Sequence, residues 1–297
     1  MTDRPARSED SVARRALEAL RHDPLAVAGT LVLLVLVVVG VFGQWLAPSG
    51  VNEVDVEHML EGPSRSHLFG TDELGRDVLS RVLVAARVSL EVGVVSVGLA
   101  LLVGVTIGLV AGYYRGWADN ALMRCMDVLF AFPVLLLAVA IVAVLGPGLG
   151  TVMVAIGVVY APIFARVTRA SVLSVREQVY VRAALSIGAS DLRIMRRHVL
   201  PNIAAPLIVQ TSLSLAFAIL SEAALSFLGL GVQPPAPSWG RMLFDGRGFV
   251  TDAWWLGVFP GVAILLTVLA FNLVGDALRD VLDPRQLTLT EARRNSP

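Results

Sequence analysis

The chain has 297 residues, 56% of them hydrophobic and 16% charged, with 24 basic and 24 acidic side chains and a mean hydropathy of +0.72. A soluble domain carries about a quarter charged residues, so this composition excludes a soluble globular chain and points to a helical integral membrane protein. All 24 basic residues are arginine, so the chain lacks the lysine of a conventional P-loop ATPase or of a Schiff-base enzyme, and the lone Cys125 excludes an intramolecular disulfide.

In chain order, an arginine-bearing tail leads to Asp23-Pro24, a cap followed by proline at the first helical position. The apolar run Leu25–Leu46 follows and is expected to be a retained first span, with no clean small-residue cleavage site after it. A long loop from Ala47 to Arg87 is acidic early and then carries Phe69-Gly70-Thr71-Asp72 and Gly75-Arg76-Asp77. From Asp77 the residues Val78, Leu79, Val82 and Leu83 predict an amphipathic surface helix leading into a second span over Val88–Ala111. Further spans are expected over Ala121–Leu145, Leu149–Ala165, Ile203–Leu228 and Trp254–Val274, the third and fourth joined by the turn Gly146-Pro147-Gly148. Pro133 and Pro162 are expected to kink or locally unwind spans three and four.

Arginine bias orients the six spans. With both termini cytoplasmic, the inner side holds Arg4, Arg7, Arg14, Arg15, Arg21, Arg115, Arg279, Arg285, Arg293, Arg294 and the polar island from Arg166 to Pro201. The outer side keeps Arg65, Arg76, Arg81, Arg87, Arg241 and Arg247. Residues 1–87 thus hold a tail, the first span and the outer loop; 88–285 form the transmembrane domain with its loop 166–201; 286–297 are a second tail. In the second outer loop, Trp239, Trp254 and Trp255 suit the membrane interface.

The island carries seven arginines. Good helix formers run from Val179 to Ile187 and stop at Gly188, a natural left-handed residue. Ser190 and Asp191 are expected to cap a second helix, which Pro201 ends. Such an element is either a docking surface for a soluble partner or a hairpin that enforces topology beside lipid headgroups.

Few groups in the spans carry chemistry. Glu222 lies roughly 10 Å inside the outer end of span five and should face a partner helix or a wet cavity. Its role is either functional, in a wet cavity, or structural, bonding helices together. Arg124 and Asp127 are expected to pair at i and i+3. Gly93, Gly98, Gly104 and Gly108 permit close helix packing in span two. Four scattered histidines lack ligand spacing, and no catalytic constellation is evident.

Ala183-Ala184, Gly188 and Leu200-Pro201 match the spacing of the EAA loop of ABC importer permeases, with Arg182 where glutamate is usual and His198 where isoleucine is usual. Phe69-Gly70-Thr71-Asp72 through Gly75-Arg76-Asp77, Glu222 through Gly231 with Pro237-Ser238-Trp239-Gly240, and Gly275-Asp276 through Asp283-Pro284 resemble the dipeptide/oligopeptide/nickel class, most like its C-type permease. This resemblance implies a type I permease fold with six transmembrane helices in a bacterial cytoplasmic membrane. It implies a second permease, two cytoplasmic ATPases that use ATP and Mg, and an extracytoplasmic solute-binding protein. No cofactor is implied for this chain. Tyr180, Arg182, Ala183, Ala184, Gly188 and Asp191 become the expected ATPase-coupling residues, and Glu222 the candidate for the pathway. Di- or oligopeptides are the expected solutes, with nickel or another small solute as the alternative. A stand-alone secondary transporter, or a membrane anchor for a cytoplasmic partner, are the readings from other classes.

Overall fold

The computed structural model describes residues 23–282. The N-terminal tail arginines, Arg285, Arg293, Arg294 and the Asp283-Pro284 pair lie outside them. Helices dominate, and the one β feature among the described residues is a bridge between Thr71 and Asp77.

Helix α1 spans Pro24–Leu46, its start fixed by the Asp23 carboxylate accepting from the Leu25 amide at 2.9 Å. It is apolar all round, and glycines mark its contact line. A Cβ on Gly29 would sit 2.9 Å from Leu273 Cβ, and one on Gly43 would sit 2.7 Å from the Leu83 carbonyl. Small residues there let backbones approach closely.

The surface helix and second span expected as separate pieces are one helix, α2, Val78–Tyr114. At 37 residues it is about 55 Å long, well beyond the hydrocarbon thickness. The Asp77 carboxylate accepts from both the Ser80 amide and hydroxyl, at 2.8 and 2.7 Å, and so starts it.

The third expected span is broken. Helices α3, Gly116–Phe130, and α4, Val134–Leu145, meet at a 90° bend. Pro133 lacks the amide that would continue the ladder and pushes Phe132 out of the helical region. Pro162 does not break its helix. Helix α5, Leu149–Arg176, runs through it and extends eleven residues past the expected end at Ala165. Neighbouring helices cover this stretch, and such tertiary packing tolerates the lost hydrogen bond. α5 is the central helix and packs along α2. Gly104 and Gly112 of α2 lie against Ala161 and Val172, where a Cβ would come within 2.5 and 2.9 Å. Gly98 has nothing near it, so it is not part of that seam.

After α6, Val179–Ser186, and α7, Asp191–Ile194, the chain makes a π turn over Met195–Val199 and a 3-10 turn over Leu200–Ile203 before α8, Ala204–Phe227. The expected stop at Pro201 is therefore absent. The wider and tighter turns on either side accommodate a residue without an amide, so the axis continues. Helix α9, Trp239–Gly246, and helix α10, Trp255–Leu282, complete the described chain. Among the described residues, five helical stretches are long and apolar enough to cross a membrane, and the bent α3–α4 pair makes six if it is one span.

The two loops expected on the outer side pack together as a cap rather than a fringe. Trp255 Nε1 donates to the Thr71 carbonyl at 3.0 Å, Trp239 Nε1 donates to the Val82 carbonyl at 3.1 Å, and Phe69 stacks on Phe259. Trp239 and Trp255 are thus buried anchors, not interface residues, and Trp254 alone of the three is exposed.

Candidate functional site

The island resolves into a compact element at one end of the bundle. Val181 and Ala184 of α6 point inward and join Val172, Ile194, Met195 and Val199 in an apolar cluster. The opposite face stays open, with Val179 and Ile187 more than four-fifths exposed and Tyr180, Ala183 and Leu192 also exposed. Burial of an apolar face normally supplies most of a short helix's stability, so these outward side chains are unspent contact surface.

Gly188 closes α6 as the sequence predicts. Its φ is +77°, its amide donates to the Leu185 carbonyl at 3.0 Å, and the Ala189 amide donates to the Ala184 carbonyl at 3.1 Å. This pair of bonds is the Schellman arrangement, which satisfies carbonyls that a helix end leaves orphaned. A Cβ at Gly188 would meet nothing within 4 Å. The requirement for glycine is therefore conformational and not a matter of space within the chain.

Polar bonds tie the element to the ends of the long helices. The Tyr113 hydroxyl, at the end of α2, donates to Asp191 Oδ1 at 2.9 Å, and the Arg176 guanidinium lies over the Tyr113 ring at 5.4 Å. Arg115 donates to Glu177 at 2.6 Å, and Arg182 pairs with the other oxygen of the same carboxylate. These cations, Arg182 first and then Arg115, hold the Glu177 carboxyl below its usual value. Further along, Arg169 grips Asp119 with two bonds of 2.5 and 2.6 Å, and Arg166 pairs with Asp127 at 2.8 Å. Asp127 thus pairs across to α5 and not with Arg124. Arg193, Arg196 and Arg197 are exposed.

The expected coupling residues therefore separate by geometry. Tyr180, Arg182, Ala183, Gly188 and Asp191 lie on the open side, whereas Ala184 faces the bundle. Tyr113, Arg115 and Glu177 were not singled out from sequence. Arg115 carries a signal in hindsight, because a residue before glycine between two helices marks a turn, and both Arg115 and Gly116 have φ of 59°. The other two depend on contacts distant in sequence.

Glu222 is fully buried within the chain. Its Oε1 accepts from the Ser226 hydroxyl at 2.7 Å and its Oε2 accepts from the Ser89 hydroxyl at 3.4 Å. Among the described residues, no group of three or more metal-ligating side chains comes together.

The chain is similar to known proteins in both sequence and fold. Residues 104–288 match the family of the binding-protein-dependent transport system inner membrane component, and residues 11–63 match the N-terminal transmembrane domain of oligopeptide transport permease C. The dipeptide transport system permease protein DppC of Alkalihalophilus pseudofirmus is 46% identical over 92% of this chain and 90% of its own. The glutathione transport system permease protein GsiD of Pectobacterium atrosepticum is 46% identical over 88% of this chain and 87% of its own. A putative peptide transport system permease protein of Brucella abortus is 47% identical over 95% of this chain and 94% of its own. The fold matches the MetNI methionine ABC transporter with a TM-score of 0.57 at 18% identity, covering 68% of this chain and 96% of that one. The chain is a multi-pass membrane protein that belongs to the binding-protein-dependent transport system inner membrane component family, and it is a permease subunit of the ABC importer type.

Proposed function

We propose that this permease carries small peptides into a bacterial cell, pairing with a second permease around one pathway. Two cytoplasmic ATPases dock on the Val179–Asp191 element, and an extracytoplasmic binding protein delivers the solute. Both termini are cytoplasmic in this reading, as the arginine distribution favours. The ATPases use ATP and Mg; this chain contributes positioning and motion. The peptide class rests on the relatives, whose names span dipeptide, glutathione and general peptide systems.

One observation carries the coupling role. The α6 element presents an open apolar face while its inner face and its polar bonds are fixed to the long helices. A rigid body held this way transmits displacement. Closure of the ATPase pair would push on α6, and the Tyr113–Asp191 and Arg115–Glu177–Arg182 contacts would carry that push to α2 and α3. The bundle has two arrangements in this account, and ATP shifts the balance between them.

The test is to purify the chain with its co-purifying subunits and measure labelled dipeptide uptake in ATP-loaded proteoliposomes with added binding protein. ATP-dependent uptake is expected. Uptake by the chain alone, driven by a proton gradient with no ATPase present, would overturn it.

A further inference from the structure

The pathway residue expected from sequence, Glu222, has no exposed surface, yet another intramembrane acid does. Glu91 lies on the open face of α2, two residues beyond Ser89, whose hydroxyl bonds Glu222. Glu222 itself stands five residues, or about 8 Å, inside the end of α8, so Glu91 is at a similar depth within the bundle. Arg87, one turn away on the same face, is also exposed. Among the described residues neither side chain has a hydrogen-bonding or ion-pair partner. An unpartnered charge at such depth belongs against a wet cavity or another subunit, not against lipid.

Arg87 and Glu91 are the charged groups of an open groove of about 550 Å³ between α1 and α2, whose other walls, among them Val37, Val41, Leu90 and Val94, are apolar. A second cavity of about 360 Å³ shares Arg87, Gly40 and Val41 and continues outward to Pro235–Pro237. Inward, the exposed positions continue at helical spacing through Val95, Gly98, Leu102 and Thr106. Gly98 leaves the middle of the stripe open. From Arg87 to Thr106 the stripe rises about 28 Å, which is close to the hydrocarbon thickness. It ends in a further open cavity of about 600 Å³ lined by Leu102, Thr106, Leu192 and Met195, beside the coupling element.

We propose that this face of α2 lines the translocation pathway and that Arg87 and Glu91 form a charge pair that receives a zwitterionic solute. This rests on the peptide-permease reading above. The two side chains stand one turn apart, about 6 Å between Cβ atoms. A dipeptide places its ammonium and carboxylate about 7 Å apart when extended. Glu91 would take the ammonium and Arg87 the carboxylate. The apolar stripe beyond them offers no further charge, so the solute is released inward instead of being held.

The test uses the assembled complex in a Cys125→Ser background, with single cysteines at Glu91, Gly98 and Thr106 and an exposed apolar control at Leu265 of α10, which lines none of these cavities. A water-soluble methanethiosulfonate reagent should label the three stripe positions at least tenfold faster than the control, and dipeptide-loaded binding protein with ATP should slow labelling at position 98. Separately, Glu91→Gln should lower the maximal uptake rate of a free-amino dipeptide several-fold without raising KM for the loaded binding protein. Labelling at control levels, or wild-type uptake by Glu91→Gln, would overturn the proposal. So would capture of position 91 by the second permease in every nucleotide state, which would make the pair a subunit contact. If labelling holds but the complex moves no peptide, the peptide reading fails and the wet stripe survives.

Discussion

The hydroxyl of Tyr113, the penultimate residue of α2, donates to the carboxylate of Asp191, the first residue of α7, across a sequence gap of 78 residues. This bond joins the element we propose for coupling to the helix whose open face we assign to the pathway. A hydrogen bond to a charged acceptor contributes about 1.5–3 kcal/mol, and less where the acceptor is solvent-exposed, as Asp191 is. Tyr113→Phe removes the donor while keeping the buried ring. ATP hydrolysed per solute transported should rise about three- to tenfold, with the complex still assembled. An unchanged ratio in proteoliposomes would show that the bond carries no motion.

The Glu177 carboxylate serves two arginines at once, so its loss loosens both the α2–α3 junction and the start of α6. Exposed pairs contribute little each, so Glu177→Gln should reduce coupled uptake by about threefold and leave folding intact. The pH dependence has a definite sign. An acid held below its ordinary value of 4.5 contributes its stabilisation above that value and loses it as pH falls through the lower folded one. Coupling should therefore be independent of this group from pH 6 to 8, measured as ATP consumed per solute. A Glu177-dependent change within that range would contradict the assignment.

At Gly188 the backbone is left-handed and the space around it is open, so substitutions separate strain from docking. Asparagine tolerates this conformation, so Gly188→Asn should keep most transport. Gly188→Trp combines about 1–3 kcal/mol of backbone strain with bulk on the docking side. It should lower uptake and solute-stimulated ATP hydrolysis by tenfold or more. Normal activity in an assembled Gly188→Trp complex would remove the element from the coupling route.

Glu222 offers a stability prediction. Truncation to alanine strands the Ser89 hydroxyl and takes the acceptor from the Ser226 hydroxyl, which still accepts from the Val232 amide, in a buried site, at about 1–3 kcal/mol for an unsatisfied group. Glu222→Ala should therefore lower the thermal midpoint of the detergent-purified complex, whereas Glu222→Gln, which keeps an acceptor, should change it little. If Glu222→Gln abolishes peptide uptake in a complex of normal stability, the carboxylate acts on the solute and not as a helix-bonding group.

Local rules read well from the sequence where the physics is local. The Asp23 cap, the Asp77 start and the Gly188 stop depend on residues within one turn, and each is where its pattern predicts. Readings that depend on which helix lies alongside fared differently. Asp127 pairs with Arg166 on a neighbouring helix instead of Arg124 on its own, and Pro162 sits in an unbroken helix because others cover it. Glu222 and Glu91 show the same limit. A helix that is apolar nearly all round has no sequence pattern to say which side meets its own bundle. Sequence alone therefore does not tell that Glu222 is buried against its own bundle while Glu91 is exposed.

The central claim is that the outward face of α6 receives the ATPase. Its most direct measurement is disulfide cross-linking in the assembled Cys125→Ser complex, with cysteines at Tyr180, Ala183 and Ile187 against single cysteines across the ATPase surface. Those three positions are exposed, whereas Ala184 points into the bundle and serves as the internal control. The account predicts cross-links from at least two of the outward positions, a yield that changes when ATP is added, and none from Ala184→Cys. Absence of cross-links from all three outward positions in an intact, ATP-hydrolysing complex would contradict it.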